Sequence, residues 1–76
     1  MSAHGVVLFH TTSAALRAEK VAKKAGLTAK LIPTPRHLSS DCGISLCFEW
    51  PDAEKIARTL AGAKVPTAGV HSFDGA

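Results

Sequence analysis

Two cysteines hold most of the chemistry this sequence offers. Cys42 stands in "PRHLSSDCG", residues 35–43, where basic, hydroxyl, thiol and glycine chemistry meet in one short run. Arg36 and His37 precede it by six and five residues. A cation near a thiol favours the thiolate, which is the nucleophilic form. A free cysteine titrates near about 8.5, so a modest shift changes its thiolate fraction at neutral pH. Ser39 and Ser40 can donate hydrogen bonds to a sulfur anion. Gly43 leaves out a side chain beside the sulfur and lets another molecule approach closely. Asp41 opposes activation, because an adjacent negative charge raises a thiol pKa, unless it serves the turn and points away. The plain alternative is that Cys42 packs as a small apolar group, the usual fate of a free cysteine.

Cys47 is worse placed for chemistry. It lies between Leu46 and Phe48 inside an apolar, alternating run, which reads as packing or sheet surface. In one extended strand, Cys42 and Cys47 would lie ~16 Å apart at about 3.3 Å per residue. A disulfide needs Cα atoms within about 7 Å. The two also point to opposite faces, so they cannot bridge unless Cys42 folds back out of the strand. A thiol mechanism would therefore use Cys42 alone.

His4, His10, His37 and His71 add metal-ligand types, but no zinc-finger spacing joins them to the cysteines. No resident metal or cofactor is expected. His10 ends the first strand just before a helix N-terminus, whose free N–H groups and positive dipole end suit an anion. His10 with Thr11, Thr12 and Ser13 would line a small anion or thiolate site if residues 35–42 folded over it. Nucleotide, P-loop, nucleophile-elbow and metalloprotease motifs are absent. Asp52 and Glu54 read as capping charges, not an acid–base pair.

The elements that must position these groups follow from the pattern. The chain has 76 residues, enough for one domain spanning 1–76. "GVVLFH" is an apolar, β-branched run, a strand buried on both faces and hence central. "TTSAALRAEKVAKKAG" is a helix, capped by Thr11, Thr12 or Ser13 and stopped at Gly26. "LTAKLIP" is a second strand, ended by Pro33, and "TPRHLSSD" a loop. In "GISLCFE", Ile44, Leu46 and Phe48 point one way and Ser45, Cys47 and Glu49 the other. "WPDAEKIARTLAGA" is a second helix with its stop at Gly62, and "TAGVHSF" a last strand. The order βαββαβ predicts an α+β, ferredoxin-like sandwich, a four-stranded antiparallel sheet with two helices on one face. Val7, Phe9 and Cys47 are expected on the other, open face.

The net charge of +3 is spread along the chain, and its densest part shares a helix with Glu19. With no Tyr, three Phe and one Trp, an aromatic stacking platform is hard to build, so nucleic acid is not an expected partner. The longest apolar run, Val6 to Phe9, is far short of the ~20 residues that span a membrane. A cytoplasmic protein with reduced thiols is expected.

The segment from "VVLFHTTSAALRAEKVAKKAG" through "LIPTPRHLSSDCGISLCFE" resembles the selenium/sulfur carrier protein-like family of small bacterial proteins. The arrangement P-R-x-x-S-S-x-C-G is its specific part. The resemblance implies that Cys42 is the carrier thiol, with Gly43 beside it, and that the partners are a cysteine desulfurase or a sulfurtransferase. It implies a carrier of persulfide-type cargo more than a stand-alone enzyme. Two other readings stand beside it: a binding or regulatory module that dimerises or docks through the open sheet face, and a soft-metal chaperone using Cys42 with His10 or His37.

Overall fold

The computed structural model describes residues 4–34, 38 and 43–73. Strand β1, His4–Leu8, leads into helix α1, Thr12–Lys24, and strand β2, Ala29–Pro33. Strand β3, Ile44–Glu49, is followed by a 3-10 turn, Trp50–Asp52, helix α2, Ala53–Gly62, and strand β4, Gly69–Phe73. The four strands form one antiparallel sheet in the order β2-β3-β1-β4. This is the expected α+β, ferredoxin-like arrangement, with β1 and β3 at the centre.

Both helices are bounded by local chemistry. Thr11 is the cap of α1, its Oγ1 accepting from the Ala14 N–H at 3.1 Å, which satisfies one orphan donor of the first turn. At the other end Gly26 takes a left-handed φ of 82°. Gly26 N–H donates to Lys23 O and Leu27 N–H to Ala22 O, a Schellman closure. Helix α2 ends in the same way, but not on its glycine. Gly62 is the last helical residue, and Lys64 takes the left-handed position at φ 57°. Lys64 N–H donates to Ala61 O and Val65 N–H to Leu60 O. The buried Val65 thus sets the closure over Leu60, overriding the preference for glycine.

Both helices pack on one face of the sheet. Val7, Phe9, Leu46 and Phe48 meet Ala14, Ala15, Ala18 and Ala22 of α1 and Ile56 and Leu60 of α2 in one buried cluster. Small alanines let α1 lie close to the strands. Gly5, paired with Phe48, is a notch in the same face: a Cβ there would lie 2.5 Å from Phe48 Cζ and 2.6 Å from Trp50 Cε3. The Phe48 and Trp50 rings stack over it, their centroids 6.1 Å apart.

The second face carries Val6, Leu8 and Cys47, buried together, with Ile32 and Leu38 packed against them. The expectation that Val7 and Phe9 share a face with Cys47 is therefore corrected. Val6, not Val7, pairs with Cys47, and antiparallel partners share a face. Nor is the centre of this face open, since Val6 is 0% and Cys47 8% exposed.

Candidate functional site

The antiparallel register gathers four chain segments at one end of the sheet. Leu8 at the end of β1 pairs with Ser45 and Gly69, and Pro33 at the end of β2 pairs with Ile44. The β2–β3 connection, residues 34–43, therefore leaves and returns at the end where β1 passes through His10 into α1. Ala68 N–H donating to Leu8 O at 2.6 Å holds the start of β4 there as well.

Two hydrogen bonds tie the connection at its base. Thr34 N–H donates to Gly43 O at 3.0 Å. The hydroxyls of Thr34 and Ser45 are 2.9 Å apart and share a hydrogen bond on the second face. Ser45 is fully buried, so this bond gives a polar group inside the sheet its partner. Gly43 has a φ of 71°, the left-handed region that costs an L-residue about 1–2 kcal/mol. Among the described residues, nothing beyond its chain neighbours lies within 4 Å of a Cβ built there. The glycine answers a backbone requirement.

Between these tied ends Leu38 packs against the cluster of Val6, Leu8 and Cys47. Cys42, Arg36, His37, Ser39 and Ser40, the thiol and supporting groups expected from the sequence, lie outside the described residues. Gly43, bonded directly to Cys42, is in place at the tied base. His10 is exposed at the same end of the sheet, one residue before the Thr11 cap. Thr12 and Ser13 are exposed in the first turn of α1. The topology thus brings the start of α1 and the base of the connection to one end, as an anion or thiolate site there would require.

Cys47 has the opposite character. Burial pushes its thiol up from the ordinary range, and Lys30, its partner across β2–β3, pulls the other way without cancelling the effect. It is a free cysteine and stays a neutral thiol at neutral pH. A shallow depression of about 230 Å³ lies beside it, lined among others by His4, Lys30 and Glu49. Among the described residues no group of three or more His, Cys, Asp or Glu side chains is placed to hold a metal ion. Nor is any described helix long and apolar enough to cross a membrane.

Thr34, Leu38 and Ser45 are not marked by residue type. Leu38 carries one signal, as the single large apolar side chain in an otherwise polar and proline-containing loop. Thr34 and Ser45 become visible only once the register sets their hydroxyls on one face.

The family model described as "Putative Se/S carrier protein-like" matches residues 4–72. A curated relative from Escherichia coli (strain K12), "Uncharacterized protein YtiA", is 31% identical over 55 residues, covering 72% of this chain and 65% of the relative. The chain therefore spans just under two thirds of that relative's length. No solved structure matches.

Proposed function

The chain belongs to the Se/S carrier protein-like family, and on that premise we propose that it carries sulfur, or selenium, as a persulfide-type cargo on Cys42. The division between the two cysteines carries this reading. Cys47 is buried in the sheet with its thiol pushed up, which makes it a poor nucleophile. Gly43, the residue that follows Cys42 in sequence, stands at the tied base of the β2–β3 connection, at the end of the sheet where α1 starts.

In loading, the Cys42 thiolate attacks the outer sulfur of a donor persulfide. The donor S–S bond breaks, and its electron pair leaves on the inner sulfur as a thiolate. A new S–S bond forms on Cys42, and the proton on the outer sulfur stays with it. Nothing is oxidised or reduced overall. Delivery to an acceptor thiolate is the same exchange, with the Cys42 sulfur as leaving group. Selenium from a selenosulfide donor follows the same course. Arg36 and His37 are the groups to stabilise the developing sulfur anion, and Ser39 and Ser40 to orient it. A cysteine desulfurase or sulfurtransferase is the fitting donor, and a reducing cytoplasm the fitting compartment. The reading as a module docking through the open sheet face has less support, because the apolar centre of that face is already buried.

The test is intact-mass analysis after incubation with a cysteine desulfurase and cysteine. The wild-type chain gains one sulfur atom, Cys47→Ala gains it too, and Cys42→Ser does not. A wild-type chain that never gains sulfur, under conditions that load a known carrier, sinks the proposal.

A further inference from the structure

We propose that the outer edge of β4, with the apolar groove between β4 and α2, is the surface on which a second copy of this chain docks, β4 pairing antiparallel with β4 of the other copy. In the order β2-β3-β1-β4, β4 is bonded on one side to β1, and among the described residues no strand lies on its other side. An open edge offers a row of backbone N–H and C=O groups to any extended segment, and folded chains ordinarily blunt such edges with lysine, proline or a very short strand. The two edges of this sheet differ in that respect. Both edge strands are five residues long, so length does not separate them. Strand β2 carries the exposed Lys30 and ends on Pro33, which has no N–H to donate. Strand β4, Gly-Val-His-Ser-Phe, carries neither a lysine nor a proline.

Side-chain packing marks the same edge. Val70 pairs with Val7 of the helix-side cluster and so lies on the helix side of the sheet, yet it is 38% exposed. Val70, Thr67 and the exposed Ala57 and Ala61 of α2 line a groove of about 130 Å³ along β4. Among the described residues none of its lining groups is charged. The charge pattern selects the occupant. Strand β4 of a second copy is itself free of lysine, arginine and carboxylates. Pairing it about a two-fold axis therefore sets no fixed like charges opposite one another, although each copy carries a net +3. The same symmetry at β2 would bring the Lys30 ammonium of each copy to the seam. Across a β4 seam the Val70 side chains of the two copies extend one apolar layer, with a groove on each side of it. A five-residue seam is a small contact of the kind found in transient complexes, so a dissociation constant of about 10 µM to 1 mM is expected. Docking there uses no residue assigned to sulfur transfer.

Sedimentation velocity of the full chain, kept reduced so that no intermolecular disulfide forms, follows the average mass from about 10 µM to 1 mM. Wild type is expected to shift from monomer towards dimer over this range, and its β4 amides to gain hydrogen-exchange protection as the dimer fills. Val70→Lys sets a lysine from each copy at the seam and is expected to raise the dissociation constant about tenfold or more. Ala61→Lys, on the exposed wall of the groove, is expected to act in the same direction, and it stands in if circular dichroism shows Val70→Lys unfolded. Lys30→Glu, on the opposite edge, leaves association unchanged. A wild-type chain that stays monomeric throughout overturns the proposal and leaves the edge to a partner of another sequence. A dimer that Val70→Lys and Ala61→Lys leave intact overturns it too, as does one that responds to Lys30→Glu instead, because the copies would then meet elsewhere.

Discussion

At the scale of single residues, Cys47 shows how an environment withdraws a thiol from chemistry. It sits across from Val6 and Lys30 in the middle of the sheet. Burial disfavours its charged form more strongly than Lys30 favours it. The folded state therefore holds the Cys47 proton to higher pH than the unfolded chain does. Stability from this group is complete below the unfolded thiol pKa of about 8.5 and declines as pH rises through the raised folded value. Wild type is expected to lose more of its urea midpoint than Cys47→Ala between about pH 8 and pH 10. Cys42 is present in both chains, so the difference between them isolates Cys47. Parallel losses in the two would show that burial does not govern this thiol.

At the scale of elements, local signals and tertiary ones divide cleanly. Helix α1 is set by residues within its own sequence: a threonine cap, alanines on one side and a glycine that can adopt a left-handed φ. Thr11→Ala removes the bond to the Ala14 N–H and is expected to cost about 1 kcal/mol, read from the urea midpoint. Thr11→Ser keeps a hydroxyl oxygen at the cap and with it most of the stability. Strand β3 was equally legible, because Ser45, Cys47 and Glu49 alternate with larger apolar residues. Strand β1 was not. Val6 and Val7 are both fully buried, on opposite faces, so a continuous apolar run held no record of which residue faces the helices. Pairing with β3 decides it. The end of α2 was legible too, at Gly62, the last helical residue, although the left-handed position falls two residues later, on Lys64. The candidate site rests on the chemistry of the run ending Cys42-Gly43, whose thiol and supporting side chains lie outside the described residues. The contact of Leu38 with a distant face follows no period, and the Thr34–Ser45 bond depends on a register that only the folded sheet defines.

At the scale of the whole molecule, two buried clusters hold the fold, a larger one between the sheet and both helices and a smaller one on the second face. A chain of this length has a total stability of roughly 4–11 kcal/mol at ~0.05–0.15 kcal/mol per residue. Most of it must come from the helix side, where Phe9, Phe48, Leu46, Ile56 and Leu60 are almost wholly buried. Ile56 belongs to α2 and closes that cluster against both α1 and the sheet. Ile56→Ala is expected to cost about 2–5 kcal/mol, a large share of the total, and Ile56→Val only about 0.5–1.5 kcal/mol. Leu38, partly buried on the far face, should cost well under the Ile56→Ala value when cut to alanine, because a partly exposed site leaves no closed cavity behind. Urea unfolding of the three variants checks the order. If Leu38→Ala were as destabilising as Ile56→Ala, the second-face cluster would be as much a part of the core as the helix side. If the order holds, the helix-side cluster carries the larger share of the stability and the second face can be altered while the chain stays folded.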